Sequence, residues 1–541
     1  MKTELSLRGK RVHVKTHYAP VLVERFRAIP GRLWHAEDKT WSFPLVRDVL
    51  CMVCDVLGLL PLFLPAELRA VMGPSPQSML RRIESDGVSV DNWHFRTQPY
   101  AHQRRNLETL LNYRRWLLAD EMGTGKSFVI ACRLTSCFGP ALILCPKSVM
   151  PGWLDQLYRH AGIVGYLDKD VKLHETYSPL IVNYEKIRDC TDLNSLHFRT
   201  VVFDEIHRLK SFTSKTAKVC RFLSERAEWV YGLSGTPAPN GLEDWFGVLS
   251  ALDPHLLPVK TKGDFESRYC LMGTLPDSNI RVVRGYRNVE ELHGYINAVT
   301  SRVTKAECLD LPDKVISPRY VSLHGEQARV YYGIRKEAVA TIRSLRAEGK
   351  LTVKNALTEG LRLAQITGGF VPDDTGAMHA LPEKAKAEAL WEILEDLEGK
   401  QVVIWCAFVA EVHWIAEQLR TMLPPRTVSV LTGSVLSAQE RQEQIERFTT
   451  GQAQYFIGTA ATGGVGINGL EVCDTEVYYS RTWSLTDWLQ SQDRLHRIGQ
   501  KNKVTIIPII ATNTIDERID LALERKQDLQ EMMLTRPELI F

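Results

Sequence analysis

From about residue 95 onward, short apolar runs alternate with longer segments of amphipathic, helix-compatible pattern. Runs at 116–119, 141–145, 180–183, 201–203 and 230–233 are strand-sized. Strands alternating with helices in this way are the signature of a parallel sheet covered by helices. The alternation returns at 402–405, 427–431, 455–459, 476–479 and 504–510. Between the two series, 240–380 is more irregular and holds a charged helical segment at 327–350. The pattern therefore predicts an α/β fold of two lobes separated by a mixed insertion. The first 90 residues read differently. They hold strand-like runs at 12–14 and 21–23, a turn at Pro30-Gly31, an apolar helical run at 46–60 and a linker at 72–76. No solenoid-length repeat and no low-complexity tract interrupts the chain.

Composition narrows the classes. The 541 residues allow about three to five domains, and 44% hydrophobic with 24% charged residues is ordinary for a globular protein. No uninterrupted apolar run reaches the roughly 18 residues of a membrane helix, and the first residues lack the apolar core of a secretory signal. A soluble, cytoplasmic protein is expected. The eleven scattered cysteines suit a reducing compartment. Cys51 and Cys54 have CxxC spacing, but no second pair stands where a zinc ribbon needs one, so they are expected to pack within a helix. The net charge of +3 singles out no partner. Residues 1–50, however, carry ten Lys or Arg against five Asp or Glu, interleaved with aromatics: Arg25, Phe26, Arg27, Arg32, Trp34, Lys39, Trp41, Phe43. Such a stretch is either a solvated face over an ordinary core or a surface that binds phosphates and stacks on bases.

Candidate chemistry sharpens the picture. Residues 117–127 read LLADEMGTGKS, an apolar strand entering a glycine-rich loop ahead of a helix. Gly123 and Gly125 let backbone N–H groups approach phosphate oxygens without a Cβ in the way, and Thr124 between them belongs to the same nucleotide-binding loop. Lys126 would reach the β- and γ-phosphates and Ser127 would ligate Mg²⁺. The strict pattern has Gly where Asp120 stands. About eighty residues later, VVFDEIH ends an apolar strand in two carboxylates. Asp204 at the strand's end suits Mg²⁺, and Glu205 can orient or deprotonate an attacking water. Upstream, Gln103 has an amide able to read adenine. Far downstream, QSQDRLHRIGQ places Arg494 and Arg497 one helical turn apart, where guanidinium groups can stabilise a transferring phosphoryl group or simply line a surface helix.

Together these segments resemble a superfamily-two helicase-like ATPase of the Swi/Snf type. DEMGTGKS, LILCPKS, IVNYEKI, FDEIHRLK, LSGTPAPN, VLTGS, GGVGIN and DRLHRIGQ occur in family order over about residues 95–530. The resemblance implies two RecA-like lobes, ATP with Mg²⁺, and translocation on duplex DNA without strand separation. It further implies that Gly466 and Gln490 complete the nucleotide site. Pro146, Lys147, Ser148, Asn183, Tyr184, Thr432, Gly433, Ser434, Gly463 and Gly464 would contact the DNA backbone, a sequence-independent mode. Ser234 and Thr236 would couple the two sites. DEIH stands in place of the commoner DEAH, and Thr462 precedes the Gly463-Gly464 pair. The N-terminal block is similar to a HARP domain, the accessory module of annealing helicases, in ERFRAIP, Trp34 and KTWSFP. That similarity implies a small α+β domain with DNA contacts at Arg25, Arg27, Lys39 and Trp41, and fork remodelling or strand annealing.

The expected organisation is a HARP-like block at 1–90, a first lobe with ATP site at 91–300, a linker with helical insertion at 301–380, and a second lobe at 381–541. The compact architecture fits a bacterial or phage protein, with replication, repair or nuclease proteins as partners. An RNA helicase, an ATP-switched DNA- or polymerase-binding clamp, and the motor subunit of a restriction or nuclease system remain open alternatives.

Overall fold

The computed structural model describes residues 4–16, 22–23, 26–27, 29, 31–45, 49–50, 53, 68, 90, 95–137, 139–167, 178–190, 197–274, 281–347, 353–373, 375–422, 427–433, 438–463 and 467–535. Arg25, Cys51, Cys54, Ser434, Gly464, Gly466 and the linker at 72–76 lie outside them.

Two seven-stranded parallel sheets form the body of the chain. In the first, the order is Thr300–Ser301, Arg115–Leu118, Trp229–Leu233, Thr200–Asp204, Ala141–Cys145, Leu180–Asn183 and Tyr166–Leu167. The central strands are largely apolar because helices cover both faces. Successive side chains point to opposite faces. Leu142, Leu144, Val201 and Phe203 thus join Trp245, Leu249 and Leu252 on one side. Ile143, Val202 and Tyr231 join Leu107, Val129 and Ile130 on the other.

The second sheet runs Lys314–Ile316, Val504–Ala511, Thr475–Tyr478, Val402–Cys406, Tyr455–Thr459 and Val428–Leu431, with Arg319–Val321 pairing further along Val504–Ala511. It too is packed on both faces, around Trp405 and Phe456 on one side and Ile404 and Ile457 on the other. The segment read as a linker from 301 therefore supplies two strands to the second sheet, beginning at Lys314. These three-residue strands are too short to register as apolar runs. Beyond them lie the helices Gly325–Ala347 and Val353–Thr367 and the hairpin Phe370–Pro372 with Met378–Ala380.

The N-terminal block contains a four-stranded antiparallel sheet in the order Glu4–Arg8, Arg11–Lys15, Thr40–Pro44, Leu33–His35. The strand expected at 21–23 is corrected: Leu22 and Val23 are helical. Leu22, Phe26 and Ile29 recur at helical spacing and face the core of this block, so burial overrides the strand preference of the short apolar run. No helix among the described residues is long and apolar enough to cross a membrane.

Candidate functional site

Register places the site. Leu233 pairs with Leu118 on one side and Asp204 on the other, so all three strands end in one row. The phosphate loop, the Ser234–Thr236 turn and the Asp204-Glu205 pair consequently share the carboxyl edge of the first sheet, the usual ligand edge of an open parallel sheet.

Gly123 and Gly125 have φ of +77° and +86°, values that favour glycine. A Cβ at Gly125 would also collide with the Gln103 amide. The helix Lys126–Leu134 starts at Gly125 with no side-chain cap, so its first N–H groups remain for an anion. Lys126 Nζ donates to the carbonyls of Asp120 and Glu121 at 2.8 and 2.9 Å. Burial lowers its pKa, opposed by Asp120, Glu205 and Asp493. Asp120, at the non-glycine position, is buried, accepts from Asn106 Nδ2 at 2.5 Å, and is held above its usual range by burial. Gln103 is also buried. Its Oε1 accepts from the Tyr100 N–H, and its Nε2 donates to the Thr124 carbonyl at 3.0 Å, so it braces the phosphate loop.

Asp204 Oδ2 accepts from Trp153 Nε1 at 2.8 Å. Burial, reinforced by the adjacent Glu205 charge, raises its pKa. Glu205 moves the other way: burial is outweighed by His207, Lys126 and Arg494. Its backbone is left-handed, φ 54°. One carboxylate oxygen accepts from Gln490 Nε2 of the second lobe at 2.9 Å, and the other lies 3.2 Å from His207 Nδ1. His207 Nδ1 is in turn 2.9 Å from Ser234 Oγ, which accepts the Thr236 N–H at 3.1 Å. The two residues expected to couple the sites thus connect through one histidine to the glutamate.

From the second lobe, Arg494 donates to the Ile467 carbonyl at 2.8 Å and Arg497 to Asn468 Oδ1 at 2.8 Å. Burial, then the Arg497 charge, lowers the Arg494 pKa to about 10. Lys126, Glu205, Arg494 and Arg497 are brought together at one interlobe cleft. The sequence reading missed Lys305, Trp153 and His207. Only His207 stood in a quoted motif.

The expected DNA contacts divide. Lys147 and Ser148 are exposed just past the strand Ala141–Cys145, and Gly433 is exposed just past Val428–Leu431; Pro146 and Thr432 are buried. Asn183 caps the helix Tyr184–Arg188 by accepting the Lys186 N–H at 2.7 Å. Two further residues of this group lie in the interior. Tyr184 is buried and donates its hydroxyl to the Asp204 carbonyl at 2.7 Å, so its ring is committed to the interior. Gly463 is buried against Trp405, whose ring leaves no room for a Cβ. In the N-terminal block, Arg27 and Lys39 are exposed. Trp41 is half-buried between Phe26 and Trp34, and Trp34 is 51% exposed.

Residues 102–368 match the family model for the SNF2-related domain, and residues 385–499 that for the helicase conserved C-terminal domain. Residues 1–101 lie outside both ranges. The chain is 27% identical over 453 residues to the SWI/SNF-related matrix-associated actin-dependent regulator of chromatin subfamily A member 1 of Mus musculus, covering 78% of this chain and 42% of that protein. It is 26% identical over 454 residues to the ISWI chromatin-remodeling complex ATPase ISW2 of Saccharomyces cerevisiae, covering 77% and 39%. The chain thus spans about two-fifths of the length of these relatives. Among solved structures, the Sulfolobus solfataricus SWI2/SNF2 ATPase core in complex with dsDNA aligns at 24% identity and a TM-score of 0.38, covering 83% of this chain and 96% of that one. The chain accordingly carries an SNF2-related domain followed by a helicase conserved C-terminal domain.

Proposed function

We propose that this chain is an ATP-dependent DNA translocase that hydrolyses ATP as it moves on duplex or forked DNA. The observation that carries the reading is the cleft itself: a glycine-rich phosphate loop with Lys126 on one lobe faces Arg494 and Arg497 on the other, with Glu205 between them. Three like-charged side chains, Lys126, Arg494 and Arg497, converge there, an arrangement that favours a polyphosphate anion. The donor set fits a nucleoside triphosphate: uncapped helix N–H groups, two left-handed glycines and a half-buried lysine. Ser127 and Asp204 would hold Mg²⁺, which would supply positive charge against the phosphates. Lys126 would trade its loop carbonyls for phosphate oxygens. Glu205 would orient the attacking water and accept its proton. Arg494 and Arg497 would stabilise charge on the transferring phosphoryl group.

Because Glu205 is held by groups from both lobes, hydrolysis would require closure and product release would permit opening. The exposed Lys147, Ser148 and Gly433, one set on each lobe, are suited to gripping a backbone alternately in the two states. The relatives named for chromatin and the neighbour solved with dsDNA agree with a duplex track. Fork remodelling or annealing is the finer proposal. It is supported by the N-terminal block, where exposed Trp34, Arg27 and Lys39 offer stacking and phosphate contacts. The test is ATP hydrolysis without nucleic acid and with duplex, single-stranded and forked DNA and RNA, Glu205→Gln serving as control. Stimulation by duplex or forked DNA that disappears in Glu205→Gln supports the reading. Stimulation by RNA alone, or hydrolysis under no condition, overturns it.

A further inference from the structure

Lys305 belongs to none of the motifs legible in the sequence, yet it is among the most buried charged residues, 4% exposed. It opens the short helix Lys305–Cys308, fixed by a capping box between Thr304 and Glu307. Its backbone is tied to the phosphate loop: the Lys305 N–H donates to Glu121 Oε2 at 2.6 Å, and the Glu121 N–H donates to the Val303 carbonyl at 2.8 Å. Lys305 therefore moves with the first lobe.

Its side chain reaches into the second. Nζ donates to Asp493 Oδ1 and to the His496 carbonyl, both at 2.5 Å. Asp493 immediately precedes Arg494, and His496 immediately precedes Arg497. This stretch lies just past the helix Leu485–Gln492, where intrahelical donors run out and a cation is favoured by the exposed carbonyls. One ammonium thus holds the residue ahead of each arginine. The Lys305 and Asp493 side chains are 5% and 17% exposed, so the pair is shielded from water and loss of either partner strands the other. A Cβ at Gly123 would sit 3.5 Å from Lys305 Cε and 3.7 Å from Arg497 Cβ, so loop, lysine and arginine adjoin at that point.

We infer that Lys305 is the positioning residue for Arg494 and Arg497, setting both guanidinium groups relative to the phosphate loop when the lobes close. The inference rests on the ATPase reading above, and Lys305 acts through the arginines rather than on substrate.

The test uses the full chain. Lys305→Met keeps the aliphatic length and removes the ammonium. The kcat for DNA-stimulated hydrolysis is expected to fall about tenfold or more, while KM for ATP moves less than about threefold. Lys305→Arg, which keeps the charge, is expected to recover part of the rate. Lys305→Met added to Arg494→Ala/Arg497→Ala should be no slower than that double variant alone, because the lysine acts only through these two arginines. Additive losses, or an effect on KM alone, overturn the proposal. Hydrogen exchange of residues 493–500 without nucleotide separates this outcome from failure of the ATPase reading. Protection there is lost in Lys305→Met if the lysine holds the segment, whether or not the chain hydrolyses ATP, and unchanged protection overturns the proposal. If Lys305→Met does not fold, Asp493→Asn is read in the same two assays.

Discussion

Gln490 donates its amide to Glu205 at 2.9 Å across 285 positions of sequence and across the cleft between the lobes. Glu205 is also one of four non-glycine residues with positive φ among those described, a conformation that costs on the order of 1–3 kcal/mol and persists only when its surroundings fix it. The glutamate is thus strained by its own strand end and held from both sides, by His207 within its lobe and by Gln490 from the other. Its geometry becomes a property of the closed cleft rather than of the first lobe alone.

Gln490→Ala is therefore expected to slow hydrolysis about tenfold, in line with the roughly 1.5–3 kcal/mol of a hydrogen bond to a charged group. Gln490→Glu should be slower still, since it sets a second carboxylate against Glu205. Steady-state hydrolysis with saturating duplex DNA measures both. Rates equal to the unsubstituted chain in both variants would remove the cross-lobe bond from the mechanism.

Ser234→Ala removes the hydroxyl that links His207 to the Thr236 N–H. Hydrolysis is expected to survive within about threefold, because Glu205 keeps Gln490, while DNA-driven movement falls more steeply. Displacement of a third strand from a triplex, scored per ATP hydrolysed, reads the ratio. A ratio unchanged from the parent would make Ser234 a structural turn.

The sheets and the phosphate loop were legible because their causes are local. An apolar run such as ALILC is buried along its whole length, and the left-handed backbone at 123 and 125 demands glycine where glycine stands. Lys305 was not legible, because its meaning comes from Asp493, 188 positions away. The bond from the Tyr184 hydroxyl to the Asp204 carbonyl was not legible for a related reason: its partner lies twenty positions further along the chain. The short strands at Lys314–Ile316 and Arg319–Val321 owe their conformation to pairing with Val504–Ala511, and three residues carry too little periodicity to announce it.

Gly463 separates packing from DNA contact. A methyl group there meets the Trp405 ring, and overpacking of this kind costs about 1–3 kcal/mol. Gly463→Ala is expected to lower the urea midpoint of the second lobe with no DNA present. Unchanged stability combined with weaker DNA binding would mark Gly463 as a backbone contact.

Glu476 gives the second lobe a pH dependence of defined sign. It is wholly buried on the strand Thr475–Tyr478 and accepts from Trp405 Nε1 at 2.8 Å. Burial pushes its pKa up to about 8, and Asp493 adds to the shift while Lys314 opposes it. In the unfolded chain the same group titrates near its ordinary value of 4.5. Below that value both states are protonated and Glu476 contributes fully to stability. As pH rises, the unfolded chain ionises first, and the contribution is lost progressively until the folded group ionises near 8. At about 1.4 kcal/mol per unit, the loss is at most roughly 5 kcal/mol. Glu411, raised to about 7 by burial, acts in the same direction, so the difference between two proteins is the informative quantity. Glu476→Gln should match the parent in urea unfolding near pH 5 and exceed it near pH 8.5, with the gap opening between those values. A gap that stays constant with pH would mean that Glu476 is ionised in the folded protein throughout.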